Sequence, residues 1–191
     1  MKKEKDKNWG VEWPTRKYEI AYIDPPWDYD NRVQHGGTAV GYTSGAIAFY
    51  PTMTPEEIYE MRIADILEKN SLVYLWVTGP QFEIGIKAIK AWGLKYATIA
   101  FVWDKIMVNP GAYTMSEYEY VLVAKRGCIP KPRGARNVRQ KVEEKRTGHS
   151  VKPIEVRRRI EQMHPTQSKV ELFAEIGGTG WDLWGNRSRW E

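Results

Sequence analysis

Short apolar runs of strand length alternate along this chain with stretches whose apolar residues recur at helical spacing. The run "KYEIAYI" reads as a buried strand ending at Asp24. "TPEEIYEMRIADILEKN" reads as one helix: Thr54 is placed to cap it, Pro55 to open it and Glu57 to complete a capping box. Ile58, Met61, Ile63, Ile66 and Leu67 give that helix its apolar side. "SLVYLWVT" is a continuous apolar strand, and "PQFEIGIKAIKAWG" a helix with Phe82, Ile86 and Ile89 in step and Gly93 as its stop. "YATIAFVWD" and "EYEYVLVAK" read as strands. "KPIEVRRRIEQMH" reads as a helix with Ile154, Val156, Ile160 and Met163 inward and its three arginines toward solvent or a ligand. "KVELFAEI" and "WDLWGN" close the chain as strands, and no internal repeat or low-complexity tract interrupts the order. Strands alternating with helices predict an α/β domain on a mostly parallel sheet. Ligands bind such sheets beyond the carboxyl ends of the strands, which is where Asp24 stands.

Composition narrows the function classes. A chain of 191 residues suits one domain, read here as an N-terminal extension over 1–17 and a single domain over 18–191. The charged start "MKKEKDKNWG" has no apolar stretch behind it, and no run reaches membrane-spanning length. One cysteine, Cys128, excludes an internal disulfide framework, and with three histidines it argues against a metal site. A cytoplasmic protein without a membrane partner is expected. Charge then changes the picture, because it is uneven. Between Lys125 and Arg146 nine cations face two acids, a balance of +7 in a chain of +5, so the remainder is net acidic. That basic loop, 125–146, contains "GCIPKPRGAR" and reads as irregular. It is either a solvated loop or a phosphate-contacting one, and charge alone does not choose.

The candidate chemistry lies in "EIAYIDPPWDYDN". Pro25 and Pro26 each fix φ and lack an N–H, so the backbone there is stiff. Asp24 and Pro25, each preceding a proline, are held extended. A carboxylate and a main-chain carbonyl then project together beside the indole of Trp27. Two acceptors and a flat ring suit an exocyclic amine on a nucleobase. Holding both N–H bonds toward acceptors favours a pyramidal nitrogen and frees its lone pair for attack, with no need of histidine or cysteine.

"DPPW" after an apolar strand resembles the catalytic motif of the amino-methyltransferases, and its tryptophan form resembles the MT-A family, whose eukaryotic members methylate adenine in messenger RNA. "FYPTMTPEEI", "LVYLWVTGPQFEIGIKAIKAWGLKY", "EYVLVAKRG", "GHSVKPIE" and "VELFAEIGGTGWDLWGN" are similar to further segments of that family, in order, over roughly residues 18 to 187. The resemblance implies a Rossmann-like methyltransferase using S-adenosylmethionine, in permuted order, with the catalytic strand first and the cofactor strand last. It implies that Asp24 and Pro25 hold the target amine, that Pro26 shapes the turn and that Trp27 stacks the flipped base. Asp24 also borders the cofactor, and Lys152 pairs with the cofactor's methionine carboxylate. Asn186 bonds its ribose or adenine. Tyr50 and Trp76 are pocket-wall candidates, although an aromatic beside a strand also serves a core. Glu175 stands where the family usually has an arginine that fixes the ribose; an acid there accepts from two hydroxyls or marks weak cofactor affinity. Arg187 stands where the family has a glutamine or glutamate.

The expected function is methylation of adenine N6 in DNA by an enzyme of bacterial or phage type. RNA adenine methylation is the alternative, cytosine N4 methylation a more distant one. A non-catalytic partner subunit is the reading from another class, which the intact "DPPW" and Lys152 oppose. The resemblance leaves room for a homodimer or a heterodimer with a related subunit. Given a nucleic-acid substrate, the basic loop becomes a clamp with Arg133, Arg136 and Arg139 on phosphates. A base inside a duplex must be flipped to reach the site.

Overall fold

Side chains alternate across the apolar runs, and both faces of the resulting strands are covered. The computed structural model describes residues 12–28, 52–110, 113–148, 151–174 and 178–185. Among them the strands are β1 (Tyr18–Ile23), β2 (Leu67–Thr78), β3 (Lys95–Asn109), β4 (Ser116–Arg126), β5 (Lys141–Glu143), β6 (Lys169–Leu172) and β7 (Asp182–Trp184). The helices are α1 (Pro55–Tyr59), α2 (Phe82–Ala91) and α3 (Ile154–Met163). One sheet runs in the order β5-β3-β4-β2-β1-β6-β7. β1 pairs in parallel with β2 and β6, β6 with β7 and β3 with β5, while β4 alone runs against its neighbours β2 and β3. The fold is therefore α/β on a mostly parallel sheet, as the alternation of periods predicts.

β1 shows why the sheet is buried on both sides. Ala21 and Ile23 pack with Val73, Leu75, Ala88 and Ile89 on the face of α1 and α2. Ile20 and Tyr22 pack with Tyr74, Trp76, Val156 and Ile160 on the face of α3. Each fully buried side chain of this kind contributes about 1.5–3 kcal/mol. From β1 the chain leaves to β2 on one side, and β6 arrives on the other. That divergence opens a crevice at the carboxyl end of β1.

The stretch 54–70, expected as one helix, is divided. The capping box forms: Thr54 Oγ1 accepts from Glu57 N at 3.3 Å, and Thr54 N donates to Glu57 Oε2 at 2.7 Å. Yet α1 ends at Tyr59, Ile63–Ile66 form a 3₁₀ turn, and Leu67 already begins β2. Continuing the helix from buried Ile58 would set Arg62 one turn below it. The tighter 3₁₀ step instead buries both Ile63 and Ile66. Arg126 of β4 fixes the turn by donating to the carbonyls of Ala64 and Leu67 at 2.8 and 3.2 Å.

Three further expectations change. Residues 12–16, read as part of an extension, dock on β7: Trp13 meets Trp184 edge-on at 4.8 Å, Trp184 Nε1 donates to Glu12 O, and Arg16 pairs with Asp182 at 3.0 Å. The basic segment contains the unexpected strand β5, anchored by buried Val142 and by Arg159, which donates to the carbonyls of Arg139 and Lys141. On α3, Ile154 faces outward while Arg157 is buried and Arg159 is paired with Glu155, leaving Arg158 as the arginine turned to solvent. Gly93 does end α2, with φ of 71° in the left-handed region that glycine enters without strain. No helix among the described residues is long and apolar enough to cross a membrane.

Candidate active site

Residues two apart on a strand share a face, so Tyr22 and Asp24 both point to the side of α3. They line a cleft with Trp76 of β2, Lys152 just before α3, Arg157 within it, and Glu171 and Phe173 at the end of β6. Lys152 enters because the chain reaches α3 through Pro153, which is buried and extended and sets the lysine over the crevice.

Charge in the cleft is arranged as a chain. Lys152 Nζ lies 2.9 Å from Asp24 Oδ2 and 3.5 Å from Glu119 Oε2, with the Trp76 ring centroid 5.4 Å below it. Glu119 Oε1 in turn lies 3.7 Å from the Nζ of Lys105, a lysine buried to 5% exposure. Two cations and two carboxylates thus alternate without net charge, and each lysine is held by a carboxylate that a ligand group could replace. Below them Trp76 Nε1 donates to the Tyr22 hydroxyl at 2.6 Å. Burial, reinforced by the Glu171 charge, pushes the Tyr22 phenol well above its ordinary value, so it stays neutral.

The opposite wall is built on Arg157, whose Nη1 lies 3.1 Å from Glu171 Oε2 and whose guanidinium sits 5.0 Å over Trp181. Gly178 passes so close to this guanidinium that any β-carbon there would collide with it. Phe173 turns the chain out of β6 with φ of 64°, a left-handed conformation costly for an aromatic residue. Its N–H donates to Trp184 O at 2.6 Å, and Gly185 lies against its Cα where a β-carbon would approach to 2.9 Å.

The turn after Asp24 is held from both sides. Trp27 N donates to Pro25 O at 2.8 Å, Met53 N to Pro26 O at 2.8 Å, and Asp28 N to Met53 O at 3.0 Å. The Pro25 carbonyl therefore has one lone pair engaged and one left to accept from a ligand. Trp27 is a correction to the sequence expectation. Its indole is 4% exposed in the core on the α1 and α2 face, and its Nε1 donates to Trp76 O at 3.2 Å. It braces the turn from the side away from the cleft and offers no open ring face to a base. Trp76, by contrast, lines the cleft.

Arg133 and Arg136 also require correction. β4 pairs Glu119 with Thr78 at the carboxyl end of β2 and Arg126 with Ser71 at the other end. The chain beyond Arg126 therefore starts at the edge remote from Asp24. There Gly134 N and Ala135 N donate to the carbonyls of Met163 and Gln162 at the last turn of α3. The ten residues of α3 span about 15 Å, which separates Arg133 and Arg136 from the cleft by a helix length. Arg139 lies part-way back, and only from Lys141 onward does the segment climb beside β3 to the site edge. There Lys141 is paired with Glu143 and Asp104, while Lys145 is exposed and Arg146 half-buried. At the remote edge, His164 is buried with its Nε2 2.9 Å from the Tyr74 hydroxyl. Burial, with the Lys169 and Arg133 charges, pulls its pKa down to about 4, so it is neutral and structural.

Tyr50, Glu175, Asn186 and Arg187 lie outside the described residues. Sequence reasoning missed Tyr22, Lys105 and Glu119, while Arg157 is the one of the three helix arginines, read as turned to solvent or a ligand, that lines the cleft. Tyr22 carried a signal, two positions before Asp24 on the same face; Glu119 needed the antiparallel register of β4. No group of acids, histidines and cysteines among the described residues could hold a metal ion.

Residues 18–187 match the model of the MT-A70 family. The Type II methyltransferase M.MunI of Mycoplasma sp is 42% identical over 182 residues, covering 90% of this chain and 78% of that protein. A putative N(6)-adenosine-methyltransferase MT-A70-like protein of Medicago truncatula is 28% identical, over 90% of this chain and 26% of its own length. The human N(6)-adenosine-methyltransferase catalytic subunit METTL3 is 25% identical, over 82% of this chain and 25% of its own. The chain thus spans most of the first relative and about a quarter of the plant and human ones.

Proposed function

The chain belongs to the MT-A70 family, and from that premise we propose that it transfers a methyl group from S-adenosylmethionine to the N6 amine of adenine in DNA. The sheet, mostly parallel and covered by helices, is the family's Rossmann-like fold. Methylation of adenine N6 is taken from the relatives named N(6)-adenosine-methyltransferases. The likeness that runs through most of both chains is to a Type II methyltransferase, which supports the reading of DNA as the substrate. The observation that carries the reading is the Asp24 carboxylate at the open end of β1, 2.9 Å from Lys152.

The donor set of the cleft fits the cofactor. The amino-acid end of S-adenosylmethionine carries a carboxylate, which the Lys152 ammonium complements, with Asp24 beside it at the border of the cofactor site. Lys152 keeps Glu119 as a partner, so it can turn toward a ligand carboxylate without losing all compensation. When bound, this cofactor supplies an electrophilic methyl group. Asp24 accepts one amine N–H and the free lone pair of Pro25 O the other, holding the nitrogen's lone pair toward that methyl group. An intact pair of this kind has no use in a scaffold subunit, which speaks against the non-catalytic alternative. The test is to incubate unmodified plasmid DNA with the protein and labelled cofactor, digest it and identify the product. N6-methyldeoxyadenosine is expected; label confined to RNA offered in parallel would overturn DNA as the substrate.

Placement of the cations sets a second expectation. On duplex DNA each phosphate contact adds about 0.9 to the slope of log affinity against log salt. Replacing Lys145 and Arg146 with glutamine should flatten that slope by roughly 1.8. The same change at Arg133 and Arg136, on the remote edge, should leave it unaltered. Titrations of labelled duplex at several salt concentrations decide; the opposite pattern would restore the distal loop as the clamp.

A further inference from the structure

We propose that the β3–β4 hairpin is an apolar wedge that enters the base stack of duplex DNA beside the target adenine and holds the duplex open while that base is in the cleft. The inference rests on the reading of the protein as a DNA adenine methyltransferase. It adds a device for reaching an amine that a paired duplex conceals.

The register puts the hairpin at the site. The last pair between β2 and β4 is Thr78 with Glu119, so everything in β4 before Glu119 projects past the end of β2 with β3 as its partner. It projects from the edge on which Asp24 ends β1, and Glu119 and Lys105, the inner ends of the hairpin's two strands, belong to the charge chain of the cleft. The next pairs out are Asp104 with Tyr118 and then Asn109 with Ser116. Five steps along β3 thus oppose two along β4, and three extra residues must bulge outward.

Those residues include Ile106, Met107 and Val108. Ile106 takes φ of 51°, a conformation a β-branched residue avoids, and its N–H is held by Asp104 Oδ1 at 3.0 Å. The result is exposure: Ile106 is 61% exposed, Val108 52%, Met115 56% and Tyr113 99%. A projecting cluster of aliphatic and aromatic side chains in water marks an interaction surface. What it meets is indicated by its flank. β5 pairs with β3 up to Asp104, Glu144 N donates to Asp104 O and Arg146 N to Lys105 O, so the cations Lys145 and Arg146 run beside the bulge. Apolar side chains beside cations match stacked bases beside phosphates. Minor-groove and architectural proteins insert aliphatic residues between base steps in this way. Flipping a paired base costs a few kcal/mol of stacking and pairing, which inserted side chains offset.

The test uses the full chain with Ile106, Tyr113 and Met115 all changed to serine, substitutions at exposed positions that leave the core untouched. Wild-type protein first methylates plasmid DNA, and the modified adenines are mapped. Synthetic duplexes then carry the mapped site with thymine opposite the target adenine or with an abasic residue there. The triple variant is expected to lose roughly 10- to 100-fold in rate on the paired duplex. On the abasic duplex, where no pair must be broken, it should come within about threefold of wild type. Equal losses on both duplexes, or no loss on either, would overturn the wedge while leaving the methyltransferase reading intact. Failure of wild type to methylate any DNA would instead overturn that reading, and the wedge with it. A sedimentation measurement of both proteins completes the set: a wild-type dimer that the variant dissolves would assign the hairpin to a second copy of the chain.

Discussion

Asp24→Ala is expected to cut methyl transfer by about 100-fold or more while the fold survives, because it removes an acceptor of the attacking amine at the open end of β1. Two features of the structure make the loss catalytic rather than structural. Asp24 lies in the cleft and not in either apolar core, so truncation leaves no buried cavity. Lys152, its ion-pair partner, still has Glu119 at 3.5 Å and is not stranded. The variant should therefore stay folded and melt within a few degrees of wild type, since the loss of one partly exposed ion-pair partner costs about 1 kcal/mol. Asp24→Asn refines the point. Its amide oxygen still accepts one hydrogen bond, but the negative charge that polarises the amine is lost. Activity close to wild type in either variant, measured in single-turnover assays with saturating DNA, would remove Asp24 from the chemistry.

How much of this could be read beforehand depended on whether the deciding interactions were local. The end of β1 was legible because an apolar run stops at an acid followed by two prolines, a signal contained in four residues. α2 was legible for the same reason, with Phe82 and Ile89 on one side and Gly93 to end it. The division of 54–70 was not, because the partner that stabilises the 3₁₀ turn is Arg126, which arrives from β4. Trp27 was misread for a related cause: an indole beside a catalytic step can face the ligand or the core, and the cluster of Ile58, Val77 and Met53 on the far face of the sheet decides it. The basic loop shows the limit most clearly. Nine cations within one segment, 125–146, are spread by the fold over two opposite edges, since the segment starts where β4 ends and finishes beside the cleft. Glu119 went unnoticed because an acid in a strand acquires meaning only once the antiparallel register sets it against Lys152.

Lys152→Met is expected to weaken S-adenosylmethionine binding by roughly 10- to 100-fold, the loss of one charge-assisted contact of about 1.5–3 kcal/mol. Methionine keeps the length and packing of the stem over Trp76, so the measured change reports the ammonium. That ammonium is shared by Asp24 and Glu119, at 2.9 and 3.5 Å. A cofactor carboxylate must compete with both, and the proximity of Asp24 gives it an advantage that is easily tested. In Asp24→Ala the lysine has one competitor fewer, so the cofactor should bind as tightly as in wild type or tighter, even though transfer has stopped. Isothermal calorimetry on the two single variants and the double variant separates the roles. Tight binding lost with Lys152 and kept without Asp24 assigns the lysine to the cofactor and the aspartate to the amine. Binding lost equally in both would make them a single cofactor-binding unit and leave the amine to be held by the Pro25 carbonyl and groups beyond these two.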